Sequence, residues 1–240
     1  MSEADYPTLA RGLATLGITL TTHQWEQLDY YTGRLLEQNN RINLTGAHTR
    51  EELEVRHLLD SFTVAPLLPA NGATVADIGS GGGLPAIPLA ILRQDLVFTL
   101  FEATGKKALF LTAVSEDLGL DHVRIINQRV ELMGQTWEHR QRYDTVVARA
   151  VAELPILVEL MLPLNRLMGT SIAMKKGDLD YEIARARRAI HVCGGELVGV
   201  QPAQGHELLA DHQLIVLEKV AAALARYPRR PGVPQRQPIL

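Results

Sequence analysis

The chain has 240 residues, 46% hydrophobic and 21% charged, enough to bury one large core or one core with an extension. A formal charge of −3 argues against a protein that coats nucleic acid over its whole surface, and the lone Cys193 excludes an internal disulfide or a thiolate metal cluster. No apolar run reaches membrane-spanning length and the opening MSEADYPTLARG has no secretory core, so a cytoplasmic protein without membrane contact is expected.

Residues 23–41 place Trp25, Leu28, Tyr31, Leu35 and Leu36 at helical spacing behind Thr22 as N-cap. A second helix over 50–68 is predicted from Thr49 as cap to the breakers Pro66 and Pro69. From residue 74 strand-like runs at 74–78, 97–101, 123–126, 144–148 and 170–174 alternate with helical stretches at 84–93, 104–118, 153–167 and 178–192. That alternation predicts parallel βαβ units, an α/β sheet with helices on both faces. Two further runs near 195–201 and 212–219 have no helix between them, so they are expected to pair antiparallel at the sheet edge and complete seven strands. Cys193, in AIHVCGGEL, is read as a buried, inert thiol at a helix end. From Pro228 onward PRRPGVPQRQPIL contains four prolines and no periodicity, which predicts a loosely ordered extension. The expected division is a helical extension over 1–70, an α/β domain over 71–225 and a basic proline-rich tail over 226–240.

The most informative stretch is VADIGSGGGLPAIPLA, residues 75–90. A buried strand ending in Asp77 breaks into a loop containing Gly79, Gly81, Gly82 and Gly83 and then enters a helix, so a ligand can approach the backbone. A dinucleotide site would need a third glycine where Leu84 stands. An acid for a ribose diol does exist, Glu102 at the end of the next strand, about twenty positions further on. Only a hairpin and a tail follow the fifth strand, leaving no second domain for hydride chemistry, and the pattern suits S-adenosylmethionine better than a nicotinamide cofactor. The alternative is that the glycines merely make a tight strand-to-helix turn.

Other residues are candidates by position. Arg149 follows the strand YDTVVA and emerges at the carboxyl edge where ligands bind, either to meet the ligand or to form a salt bridge with Glu131 or Asp77. His57 and Asp60, three apart, share one helix face, to form a local hydrogen bond or to touch substrate; Asn43 either caps a turn or touches a base. Lys175 and Lys176 end the fifth strand, and with Lys106, Lys107 and the tail arginines they form a candidate phosphate-tracking rim, with Arg185, Arg187 and Arg188 clustered on a helix. The eight histidines show no paired metal-ligand spacing, so no metal site is expected.

NLT at 43–45, VRHLLDS at 55–61, DIGSGGGLPAIPLA, GKKALFL from Gly105, QRVE at 128–131, ARAVA around Arg149 and KKG ending at Gly177 together resemble the bacterial small-subunit ribosomal RNA methyltransferase G family, also called glucose-inhibited division protein B. GSGGG and PAIP stand where many members carry GTGPG and PGIP, changes that keep the residues small. The resemblance implies a Rossmann-like methyltransferase fold and transfer of the S-adenosylmethionine methyl group to N7 of one guanine in the decoding-region loop of 16S ribosomal RNA, within the small subunit or its precursor. It also implies that Asp77, Gly79, Gly81 and Leu84 belong to the cofactor loop, Glu102, Ala103 and Thr104 to the ribose edge, Val130 and Glu131 to the adenine side, and Arg149 to the strand end beside the cofactor. Guanine N7 carries an in-plane lone pair, so no proton has to be removed first and placement is the enzyme's task, with His57, Asp60, Asn43 and Lys176 as positioning candidates. An NAD-dependent oxidoreductase, a non-catalytic RNA-binding assembly factor and a small-molecule methyltransferase are the other readings. The sequence leaves the oligomeric state open, with a monomer favoured.

Overall fold

A computed structural model describes residues 5–240. Seven strands form one sheet in the order β3-β2-β1-β4-β5-β7-β6. They are β1 (Thr74–Ile78), β2 (Val97–Phe101), β3 (Val123–Ile126), β4 (Tyr143–Arg149), β5 (Asn165–Lys176), β6 (Gly195–Pro202) and β7 (His212–Lys219). The first five pair parallel, while β7 inserts antiparallel between β5 and β6. The expected α/β architecture and antiparallel edge pair are both present. The order reverses between β1 and β4, so the crevice of this doubly wound sheet opens beyond the carboxyl ends of those two strands.

Alternation along the buried strands divides the core in two. Val75, Val147 and Leu214 face α1 (Pro7–Thr15), α2 (Thr22–Ile42), α5 (Ala86–Leu92) and α6 (Gly105–Asp117). Ala76, Val146, Ala148 and Ile215 face α8 (Leu154–Met161) and α9 (Asp180–Val192). No helix among the described residues is long and apolar enough to cross a membrane.

Four elements differ from the sequence expectation. The cap of α2 is Thr21, one residue earlier than expected, because a capping box with Gln24 satisfies two end groups there. The predicted 50–68 helix begins at the expected Thr49 cap, but α3 (Arg50–Leu53) gives way to a π-helical stretch, Glu54–Leu59, then to α4 (Asp60–Phe62) and a short 3-10 turn at Ala65–Leu67. The predicted 153–167 helix stops at Met161, since Pro163 has no N–H to continue it and Asn165 already belongs to the lengthened β5.

The fourth difference is the tail, which is not loose. Tyr227 and Ile239 are buried against α8 and α9, α10 (Val233–Arg236) adds a helical turn, and Arg229 grips the fully buried Glu159 with its backbone N–H at 2.7 Å and its guanidinium Nη2 at 2.6 Å. The helix α1 was not anticipated either. Its amphipathic Leu9 and Leu13 are buried, and the spare N–H of Leu9 in its first turn donates to Glu54 at 2.7 Å.

Candidate active site

Two adjoining regions occupy the carboxyl edge of the sheet. The first is the glycine loop. Gly79 and Ser80 donate to the carbonyl of Phe101, tying the loop to the end of β2. Glu102 is buried, yet both carboxylate oxygens are satisfied, one by Gly81 N–H at 2.9 Å and the other by Thr104 N–H at 2.7 Å. Gly81 has φ +58, which a side chain adopts only with strain, and a Cβ there would meet only the Gly79 carbonyl, at an ordinary contact distance of 3.8 Å. Gly82 serves packing instead: a Cβ there would press on Leu35 of α2 and the Leu44 carbonyl, and Tyr31 of α2 donates to the Gly82 carbonyl at 2.8 Å. Asp77 is buried beneath this loop, and its Oδ2 has no hydrogen-bond partner among the described residues. Loss of hydration pushes its carboxyl up to about 7, against the lowering effects of Ser80 and Arg149.

Leu84 is buried where the chain enters α5, whereas Ala103 and Thr104 are exposed beside Glu102. Val130 opens α7 (Val130–Met133). Glu131 is buried, pairs with Arg129 at 3.1 Å and accepts from Gly232 of the tail at 3.4 Å.

The second region is a cavity of about 500 Å³ beyond the ends of β4 and β5, a size typical of small-ligand sites. His57, Asp60, Arg149, Lys175 and Lys176, five of the residues singled out from the sequence, line it together with Arg56, Glu182 and His212. Its wall contains Ala150 at φ +55, strained for a residue with a Cβ.

Asp60 organises this wall. One oxygen accepts from Arg149 at 3.2 Å and the other lies 2.7 Å from His212 Nδ1. The partner of Arg149 is therefore neither Glu131 nor Asp77. The side chains of His57 and Asp60 form no hydrogen bond with each other among the described residues; the local bond between the two residues runs from the Asp60 backbone N–H to the His57 carbonyl. His57 Nε2 lies 3.0 Å from the Thr45 hydroxyl, and its buried Nδ1 has no partner among the described residues. Loss of hydration pushes His57 down to about 4, helped by Arg149 and opposed by Asp60, so the imidazole is neutral at pH 7. Asn43 is the left-handed C-cap of α2 and does not line the cavity; Asn39 shapes the NLT turn by accepting from Leu44 and Thr45, each at 2.8 Å.

The basic rim is smaller than expected. Lys175 pairs with Glu182 at 2.6 Å, Arg185 with Glu153 at 2.9 Å, and Arg229 with Glu159. Lys176 and Arg56 are exposed and form no ion pair among the described residues. Cys193 is buried at the C-cap of α9, its thiol pushed up to about 12 by burial. Among the described residues no group of three or more His, Cys, Asp or Glu side chains could hold a metal ion. The sequence reading missed His212, since nothing local marks a histidine whose partner lies 152 positions away.

The family model described as GidB, rRNA small subunit methyltransferase G, matches residues 24–211. The chain belongs to that family. Its relatives include a Ribosomal RNA small subunit methyltransferase G of Chloroflexus aggregans, 44% identical over 93% of both chains, and one of Roseiflexus castenholzii, 42% identical over 97% of this chain and 99% of the other. Among solved structures the fold is shared with the [4+2]-cyclase SpnF (TM-score 0.56, 11% identity, 85% and 98% of the two chains). It is also shared with a TehB-like SAM-dependent methyltransferase from Corynebacterium glutamicum (TM-score 0.51, 11% identity, 80% and 99%). Family membership makes the chain a methyltransferase of ribosomal RNA with a Rossmann-like fold.

Proposed function

We propose that this family member transfers the methyl group of S-adenosylmethionine to N7 of one guanine in the decoding-region loop of 16S ribosomal RNA, presented in the small subunit or its precursor. The observation that carries the reading is the placement of two complementary spaces on one sheet edge: the glycine loop, and a separate cavity walled by Arg149, Asp60 and His57. The residues of the loop fit the cofactor. The buried Asp77 Oδ2, without a hydrogen-bond partner among the described residues, suits a nearby ammonium group, and Gly81, whose Cβ position meets nothing nearer than the Gly79 carbonyl at 3.8 Å, lets a ligand lie on the backbone. In this reading Asp77, Gly79, Gly81 and Leu84 form its bed, Glu102 with Ala103 and Thr104 meets the ribose diol, Val130 and Glu131 border the adenine, and Arg149 closes the side toward the cavity.

When bound, S-adenosylmethionine supplies an electrophilic methyl on a sulfonium sulfur. Transfer of that methyl to N7 would break its bond to sulfur and would leave the positive charge on the base, with no proton to remove. The protein aligns the reacting atoms and steadies that charge. Asp60 and Glu182 lie on the cavity side where the charge arrives, with Arg149 and Lys175 paired to them. His57 is neutral and adds no opposing charge.

A base can reach this cavity only if it is turned out of its stack, so flanking nucleotides need anchors. Lys176 and Arg56 provide charge for phosphates. Tyr181, 75% exposed with the Arg185 guanidinium 5.6 Å from its ring centre, provides a stacking face beside Glu182. The test is methyl transfer from labelled S-adenosylmethionine to small subunits and to protein-free 16S RNA, followed by mapping of alkali-labile 7-methylguanine. One modified guanine in the decoding region is expected. Incorporation at another atom, or none, would refute the assignment.

A further inference from the structure

The wall of the cavity contains a residue with no role in the reading above. We propose that His212 is a positioning residue for the transfer: through Asp60 it holds the Arg149 guanidinium at the boundary between the glycine loop and the cavity. The inference rests on the proposed methyl transfer for its role, and on geometry for its existence.

Topology explains how a residue so late in the chain reaches this place. The carboxyl ends of β1, β4 and β5 form the ligand edge, and β7 runs the other way, so its first residue lies at that edge. His212 is that residue, in register with Lys176 at the end of β5. Its side chain is only 6% exposed, as is fitting for a group committed to an internal partner.

The hydrogen bonds form an ordered chain. Nδ1 of His212 lies 2.7 Å from Asp60 Oδ1, and Arg149 Nη1 lies 3.2 Å from Asp60 Oδ2. Both carboxylate oxygens are therefore engaged, and the plane of the carboxylate is set from the His212 side. Arg149 makes no other side-chain hydrogen bond among the described residues, so its direction depends on that plane. Three elements meet at one carboxylate: the end of the π-helical stretch, β4 and β7. Without a donor at the Nδ1 position, one buried oxygen of Asp60 loses its partner and the carboxylate is free to turn, carrying the guanidinium with it. Displacement of a positioning group by a fraction of an ångström is enough to slow an alignment-limited transfer.

A plain structural strut between β7 and the π-helical stretch would share these contacts, and side-chain chemistry separates the two. The amide nitrogen of asparagine can stand where Nδ1 stands, whereas that of glutamine reaches toward the Nε2 position and alanine donates nothing. Single-turnover methyl transfer to small subunits is compared for His212→Asn, His212→Gln and His212→Ala, at a temperature where melting curves show all of them folded. His212→Ala and His212→Gln are expected to be slower by about tenfold or more, with the dissociation constant for S-adenosylmethionine within about twofold of the parent's, and His212→Asn to recover to within about threefold. Rates for all three near the parent's, or an asparagine variant as slow as alanine, would overturn the proposal. If the parent itself transfers no methyl, the proposed reaction fails. Positioning is then decided by the guanidinium nitrogen resonances of Arg149, assigned through their loss in Arg149→Lys. They should hold their shift in His212→Asn and move in His212→Ala, and an unmoved signal in His212→Ala overturns the inference.

Discussion

Removing the side chain of Arg229 should destabilise the protein far more than removing an ordinary surface arginine. Glu159, its partner, is fully buried on α8. Arg229 satisfies it through a two-pronged grip, Nε to one oxygen at 2.9 Å and Nη2 to the other at 2.6 Å, with the Arg229 backbone N–H adding a third bond at 2.7 Å. In Arg229→Ala only the backbone bond survives, and a carboxylate is left in the core with most of its donors gone. Breaking a buried pair from one side costs about 3–5 kcal/mol. The arginine side chain is 24% exposed, so water can reach the vacated position and the lower end, about 3 kcal/mol, is expected. For a chain of this size that corresponds to a fall in Tm of about 6–12 °C. Urea titration and calorimetry of parent and variant measure it. The double variant Glu159→Met with Arg229→Met should recover most of the loss, because neither charge is then buried alone. A loss below about 1 kcal/mol, or a double variant no more stable than Arg229→Ala, would refute the reasoning and return the tail to the status of a loose extension.

Asp77 and His57 should give opposite pH dependences of stability. Asp77 holds its proton up to about 7 in the fold, so its contribution is full below the ordinary carboxylate range and is lost as pH rises through 7. His57 resists protonation down to about 4, so its contribution is full above the ordinary imidazole value and is lost as pH falls toward 4. Relative to the parent, urea midpoints of Asp77→Asn should fall more on acidification from pH 7 to 4, and those of His57→Gln should rise, each group being worth at most about 1.4 kcal/mol per pH unit. Midpoints that track the parent in both variants would contradict the burial argument. Gly81→Val places a branched side chain at φ +58 in the space over the loop, and calorimetry should show S-adenosylmethionine binding weakened at least about tenfold, about 1.4 kcal/mol; unchanged affinity would move the cofactor elsewhere. Lys176→Ala and Tyr181→Ala should raise the KM for small subunits while leaving cofactor affinity intact, and only Lys176→Ala should flatten the salt dependence of RNA binding, by about one unit of log–log slope. Equal salt slopes would remove Lys176 from the phosphate path.

Much of the fold was legible because its signals are local. Apolar runs alternating with helical periodicity announce parallel strands whatever else the chain does, and the run from Asp77 through the glycines to Leu84 carries its own turn chemistry. Glu102 follows from that loop, since consecutive parallel strands place their ends side by side. Local rules misled where a neighbour in space outweighed a neighbour in sequence. The prolines and arginines of the tail read as disorder, but Tyr227, Ile239 and the buried carboxylate of Glu159 give the segment a surface to dock on. His57 and Asp60 have the spacing of a hydrogen-bonded pair, yet only their backbones bond and each side chain turns to a partner on another segment. The sequence by itself determined the sheet, most of the helices beside it and the glycine loop, because hydrophobic period and turn chemistry act over a few residues. Only the tertiary structure decided that Asp60 meets Arg149 across 89 positions and His212 across 152. A buried carboxylate takes whichever donors the folded path brings within reach, and that path is a property of the whole sheet.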